Sequence, residues 1–125
     1  SYSLALLNFF PISENEYTSA PLKVNVENTI VYGHNEGEVL VNEKSDHPSQ
    51  IKIHHSLIKI EEPLPTTVSQ QGNVINSDPK FTDWFEHDFS LLEDSPAKGM
   101  GTQVGLNYDI LGQMRTAPFT IGAIQ

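Results

Sequence analysis

The 125-residue sequence predicts an all-β chain built as a solenoid of stacked coils, and three observations carry that prediction. Helical periodicity is nearly absent, while short runs such as Leu22-Lys23-Val24-Asn25-Val26 and Ile51-Lys52-Ile53-His54 alternate apolar and polar residues. Alternation with period two puts one side chain in and the next out, as on a half-buried strand. The runs are rich in Val, Ile and Leu and are separated by Gly, Pro, Asn and Asp, which mark strands and turns. Finally, the segment Val24–Val31 can be laid on Ile51–Ile58. Apolar residues then coincide at 24/51, 26/53, 30/57 and 31/58, and polar residues at 25/52, 27/54, 28/55 and 29/56. A fixed offset with matching inward and outward positions is the mark of repeats that bury their apolar faces only by stacking.

The elements follow in order. Residues 1–10 read as a strand of an earlier coil, and Pro11 to Pro21 as a loop protruding from it. Strand 22–26 and the apolar pair Ile30-Val31 begin the next coil. Residues 34–50, rich in Asn, Glu, Asp and His, hold a third strand around Val39-Leu40-Val41 and the turn beyond it. Strand 51–54 and Ile58-Lys59-Ile60 repeat the pattern. Pro63 to Gly72 reads as a loop, and Val74-Ile75 as the last strand before the tail. The chain thus divides into terminal coils over 1–77 and a capping segment over 78–125 within one structural domain. In register, Val24 stacks on Ile51 and Val26 on Ile53, with Asn25 beside Lys52 outside.

Composition narrows the function classes. Sixteen acidic residues face seven basic ones, a net charge of −9, which disfavours nucleic-acid backbones and anionic lipid alike. The acids are spread along the chain, which argues against an acidic disordered tail. There is no cysteine for disulfides or thiolate metal sites. No apolar run approaches the ~20 residues of a membrane span. Leu4-Ala5-Leu6-Leu7 is too short for an export signal and follows no basic segment, so any such signal is expected upstream.

The last 48 residues carry a series of short motifs: Asp78-Pro79-Lys80-Phe81, Asp88-Phe89-Ser90-Leu91, Ser95-Pro96-Ala97, Asp109-Ile110-Leu111-Gly112-Gln113-Met114-Arg115 and Ile121-Gly122-Ala123. Their order and spacing resemble the closing segment of bacterial right-handed parallel β-helix proteins of the pectin-lyase-like superfamily. The resemblance implies a right-handed parallel β-helix ending in an irregular cap, in a secreted or cell-surface protein, with further coils of a longer parent upstream. A bare terminal strand edge recruits other chains, and an atypical final segment protects it. Phe81, Trp84, Phe85, Phe89, Leu91 and Leu92 are the expected apolar anchors of that cap, with Phe81, Phe89 and Leu91 buried. Asp78-Pro79 fixes a turn. Asp109 and Arg115 are expected to pair across Gly112, or Arg115 to contact nearby backbone carbonyls, a reading that rests mainly on the family's DxxGxxR element, and Ile121–Ile124 to form the final strand.

The residues that bear chemistry are few. Asn25, Glu27, Lys52 and His54 make the one polar outward cluster that the repeats build, a candidate ligand-binding face for a sugar or an ordinary sheet exterior with opposite charges side by side. His54 and His55 are adjacent and point to opposite faces of a strand, and His34, His47 and His87 lack ligand spacing, so no transition-metal site is expected. Asn28 and His55 are equivalent and are expected to stack as a polar ladder at a corner. The acids Asp78, Asp83, Glu86, Asp88, Glu93 and Asp94 match no EF-hand loop, which leaves only a loose loop-built Ca²⁺ site as a cofactor. No catalytic signature is present. The expected role is structural or glycan-binding, without catalysis by these residues. The competing roles are part of a polysaccharide lyase or glycoside hydrolase whose active site lies mostly upstream, and a surface adhesin or spacer. Expected partners are upstream coils, polysaccharide, and other copies through edge-to-edge association.

Overall fold

The computed structural model describes residues 1–125 and contains strands and no helix. The strands are β1 (Leu4–Leu7), β2 (Phe9–Ser13), β3 (Glu16–Ser19), β4 (Lys23–Glu27), β5 (Ile30–Val31), β6 (Val39–Asn42), β7 (Gln50–His54), β8 (Leu57–Ile58), β9 (Ser69–Gln71), β10 (Val74–Ile75), β11 (Phe81–Asp83) and β12 (Asp88–Leu91). None exceeds five residues, and β4, β7, β9 and β10 each end at a residue with positive φ: Asn28, His55, Gly72 and Asn76.

Eight of the strands form three parallel sheets, ordered β4-β7-β9, β5-β8-β10 and β1-β6. The register of β4 on β7 is the one the 27-residue offset predicts: Val24 pairs with Ile51, Asn25 with Lys52 and Val26 with Ile53. Ile30 pairs with Leu57 and Val31 with Ile58 at the same offset. All three sheets turn apolar side chains into one cluster. Val39, Val41, Ile51, Ile53, Ile58 and Val68 are buried there, and Leu4, Leu6, Val24, Val26 and Val31 pack around them. Ile53 and Ile58 are 0% exposed, and each such side chain contributes roughly 1.5–3 kcal/mol by leaving water.

The corner between the first two sheets repeats three times. Asn28, His55 and Gly72 stand at equivalent positions, each with left-handed backbone at φ of 50°, 47° and 64°. That conformation bends the chain in one residue, and Asn, His and Gly are among the types that tolerate it best. The expected Asn28–His55 side-chain ladder is corrected. The Asn28 amide is occupied by Thr102, donating to its carbonyl at 2.7 Å and accepting from its N–H at 2.8 Å. The His55 ring lies over Gly72, where a Cβ would stand 2.6 Å from Nδ1.

Four other expectations change. Pro11 to Pro21 is not simply a loop: most of it belongs, with Phe9 and Phe10, to the antiparallel hairpin β2–β3, with Phe9 opposite Ser19. Buried Asn8 fastens its base, donating to the Lys44 and His47 carbonyls and accepting from the Lys44 N–H. The 63–72 segment contains β9, which pairs in parallel with β7 despite its Ser-Gln-Gln sequence: Lys52 and His54 stand opposite Ser69 and Gln71, so backbone pairing decides what side-chain type did not. Residues 121–124 form no strand; Ile121 is buried and Gly122, at φ 111°, presses its backbone on Ile30. The expected tail aromatics are not buried: Phe89 is 48%, Trp84 43% and Phe85 74% exposed, while Phe81 and Leu91 are half-buried. Phe81 and Phe89 belong to the short hairpin β11–β12 and pack edge-on against each other, so much of their surface is turned to solvent.

The tail seats elsewhere. Ala97 and Ile121 pack on Leu57, with Ile30, Tyr32, Val74 and Leu91 around them. Ile30, Leu57 and Val74 are register partners on β5, β8 and β10, so the tail runs along the flank of that sheet, while β9 at the far end stays exposed.

Candidate functional site

Two surfaces carry the candidate residues. The first is the outer face of β4-β7-β9. Period two sends Asn25 and Glu27 outward from β4 and Lys52 and His54 outward from β7, while their neighbours Val24, Val26, Ile51 and Ile53 face the core. Asn25 stands beside Lys52 and Glu27 beside His54, one strand spacing of ~4.8 Å apart. The face continues onto β9, where the Ser69 hydroxyl meets His54 Nε2 at 2.8 Å. The four predicted residues are thus brought together, on a shallow surface of mixed donors and acceptors. Glu27 is the one carboxylate among the outward positions of these strands.

The second surface is a cleft of about 1170 Å³ between the β4–β5 corner, the β11–β12 hairpin and the last loop of the tail. Glu27, Thr29 and Ile30 form its floor on one side, Phe81 and Phe89 close another, and Leu106 to Leu111 form the far wall. The loop that builds this wall turns at Gly112, which needs its φ of 78°. Asp109 holds the loop together. Its Oδ1 accepts the Leu111 and Gln113 N–H groups at 2.9 and 2.8 Å, and its Oδ2 accepts the Gln125 N–H at 3.1 Å. These donors, led by Gln125 and aided by the nearby Arg115 charge, hold its carboxyl below the ordinary value of 3.8 despite burial. Of the two contacts expected of Arg115, an ion pair with Asp109 or bonds to nearby backbone carbonyls, the second is the one formed. Its guanidinium donates to the Thr120 and Gly122 carbonyls at 2.9 and 3.2 Å, while the Asp109 carboxylate accepts backbone N–H groups. Asp78 likewise serves a turn, accepting the Lys80 N–H at 2.8 Å, and Leu91 packs with Leu57 and Ile121.

Sequence reasoning passed over Glu38, whose side chain is 1% exposed. It accepts the Ser3 hydroxyl, the Asn35 N–H at 2.9 Å and the Asn35 amide at 3.3 Å, which hold it below its ordinary value of 4.5. A glutamate between Gly37 and the strand Val39–Asn42 was the available signal, since glycines there let backbone and carboxylate approach: a Cβ on Gly33 would lie 2.4 Å from Glu38 Oε1. Reasoning also passed over the contact of His34 with Trp84, ring centroids 4.7 Å apart, and the stacking of Trp84 on Phe85 at 3.8 Å. No three His, Asp or Glu side chains are grouped so as to hold a metal ion.

Compared with family models, curated proteins and solved structures, the chain matches none. Its class therefore rests on geometry alone: an all-β protein with parallel sheets, a polar outward face and an apolar cleft at one edge. Chemically, the face offers an ammonium, a carboxylate, an amide and an imidazole to hydroxyl or carboxylate groups. The cleft offers apolar contact and unpaired strand edge.

Proposed function

We propose that the chain is the closing part of a right-handed parallel β-helix in an exported bacterial protein, with a structural role and a side face that binds glycans. The observation that carries this reading is the in-register row of Asn25, Lys52, Glu27 and His54 on a parallel sheet. The pairing of strands 27 residues apart supports coils, since successive turns of a helix of strands pair in parallel. The motif series of the tail, from Asp78-Pro79 to Ile121-Gly122-Ala123, supports the family. Preceding coils of the parent are the principal partner, and polysaccharide the ligand.

The face suits binding better than cleavage. Hydrolysis by two carboxylates requires a second acid about 5–9.5 Å from the first, and Glu27 stands alone among the outward positions. An ammonium beside a carboxylate instead suits a uronate or a neutral sugar held by charge-assisted hydrogen bonds. The test is a glycan array spanning pectin, alginate and neutral polysaccharides, with and without Ca²⁺, followed by titration of the hits. Binding weakened by Lys52→Ala and Glu27→Ala is expected. Release of unsaturated uronate or new reducing ends, abolished by the same substitutions, would replace this reading with an enzyme; no binding to any glycan would leave a spacer.

A further inference from the structure

The β4–β5 edge is unpaired, yet it carries the same hydrogen-bonding device as the paired edge behind it. At the second corner, the Ser56 hydroxyl donates to the His54 carbonyl at 2.9 Å and accepts the Thr29 N–H at 3.2 Å. At the third, Asn73 Oδ1 accepts the Ser56 N–H at 3.0 Å. Each corner residue thus receives the N–H of its counterpart one strand layer earlier. Thr29 repeats the arrangement: its hydroxyl donates to the Glu27 carbonyl at 2.8 Å, and no group of the chain donates to that hydroxyl in turn. β4 and β5 are the outermost strands of their sheets on that side.

Directly beyond that edge lies the apolar cleft. The column Ile30, Leu57, Val74 is covered on its flank by Leu91, Ala97 and Ile121. The covering tail is anchored at the edge layer itself, where the Gly122 N–H donates to the Asn28 carbonyl at 2.9 Å. An earlier loop of the tail borders the cleft: Leu106, Tyr108, Ile110 and Leu111 line it and are exposed by 59–75%. The two ends differ. At β9 the core-facing position equivalent to Ile53 is Gln70, which is exposed, so that end closes with a polar residue.

We propose that the β4–β5 edge and the adjoining cleft form a preformed seat for one further parallel segment: an alternating strand, a residue with left-handed backbone, and then an apolar pair. Its corner N–H donates to Thr29 Oγ1, its first apolar residue after the corner extends the Ile30 column into the cleft, and Leu106–Leu111 cover it. The tail is then a strap that clamps an incoming layer sideways. A second copy stacked head to tail fits poorly, because it would bring Gln70 against the apolar side chains of β4. This inference rests on the coil reading above and specifies its partner.

The probe is a synthetic peptide of Gln50–Lys59, which has the required pattern, titrated into the isotopically labelled protein. Saturable shifts and slowed amide exchange over Lys23–Val31, with shifts at Leu106–Leu111, are expected. N-methylation of the peptide at its serine removes the corner N–H and should weaken binding about fivefold, the worth of ~1 kcal/mol, without touching the protein. Thr29→Val should do the same from the other side. No binding, equal binding of the N-methyl peptide, or protection over 69–75 instead would overturn the assignment. So would concentration-dependent self-protection of Lys23–Val31 in the free protein, which would make a second copy the occupant. Nuclear Overhauser contacts between Val24 and Ile51 report on the coils separately. Their absence would sink the coil reading itself, whereas their presence without peptide binding overturns only the seat.

Discussion

The Thr29 backbone N–H donates to the Ser56 hydroxyl at 3.2 Å, across 27 residues of sequence. Ser56 is 0% exposed, and its own N–H passes to Asn73. Two polar groups that no strand ladder reaches are satisfied by side chains of the next layer. Ser56→Ala leaves the Thr29 N–H and the His54 carbonyl without those partners, and should destabilise the protein by about 1–3 kcal/mol. Urea unfolding measures this as a lower midpoint with an unchanged slope. A loss below a few tenths would mean that water replaces the hydroxyl and the corner is not closed.

Gly72 combines two requirements at one position, a φ of 64° and a Cβ site 2.6 Å from the His55 ring. Gly72→Ala should cost about 1–3 kcal/mol through strained backbone and displacement of the ring. His55→Gly frees the space and also suits the φ of 47° at that residue. The double variant should therefore be more stable than the sum of the two single effects allows, a coupling that unfolding of the four proteins measures. Strict additivity would show that the ring contact is not what constrains Gly72.

The parallel register was legible because inward and outward positions repeat at a fixed offset, and period two leaves no choice of face once the register is set. The edge strand β9 was not legible: Ser69-Gln70-Gln71 has the composition of a loop and pairs through its backbone, which composition does not report. The tail misled for a related reason. Phe81, Trp84, Phe85 and Phe89 suggested burial by type, but they sit on a two-stranded hairpin with too little around it to cover them, while small Ala97 and Ile121 make the seal. Of the site, the row Asn25–Lys52 and Glu27–His54 came from alternation together with the 27-residue offset. The cleft did not, since it arises where residues about 75 positions apart meet, as Asn28 and Thr102 do.

Glu38 gives the fold a pH dependence of definite sign. The Ser3 hydroxyl first, then the Asn35 N–H, hold its folded value below the ordinary 4.5. A carboxyl lowered on folding contributes stability above its unfolded value, and that contribution is lost as pH falls through the folded value. The protein should thus lose stability as pH drops below about 4.5. Glu38→Gln keeps the shape and removes the charge, so its stability profile should be flatter there, with a lower plateau at neutral pH. Thermal melts of both proteins between pH 3 and 7 check it. Parallel profiles would place the acid sensitivity at other carboxylates, with Asp109 next to test by Asp109→Asn.

Leu57 is 0% exposed because Ala97 and Ile121 cover it, and Ile30 and Val74 share that cover. Ile121→Ala opens a cavity at a fully buried site and should cost about 2–5 kcal/mol. Deleting residues 78–125 goes further, since it bares the whole Ile30, Leu57, Val74 column beside an unpaired strand edge. An apolar strip of that kind on a short sheet invites edge-to-edge association. Sedimentation velocity should show the truncated chain as aggregates or higher oligomers at concentrations where the 125-residue chain is monodisperse. Amide exchange on Leu57 and Ile58 should accelerate in parallel. A truncated protein that stays monomeric with those amides still protected would show that the three parallel sheets hold together without their flank cover, and that the tail serves only the cleft.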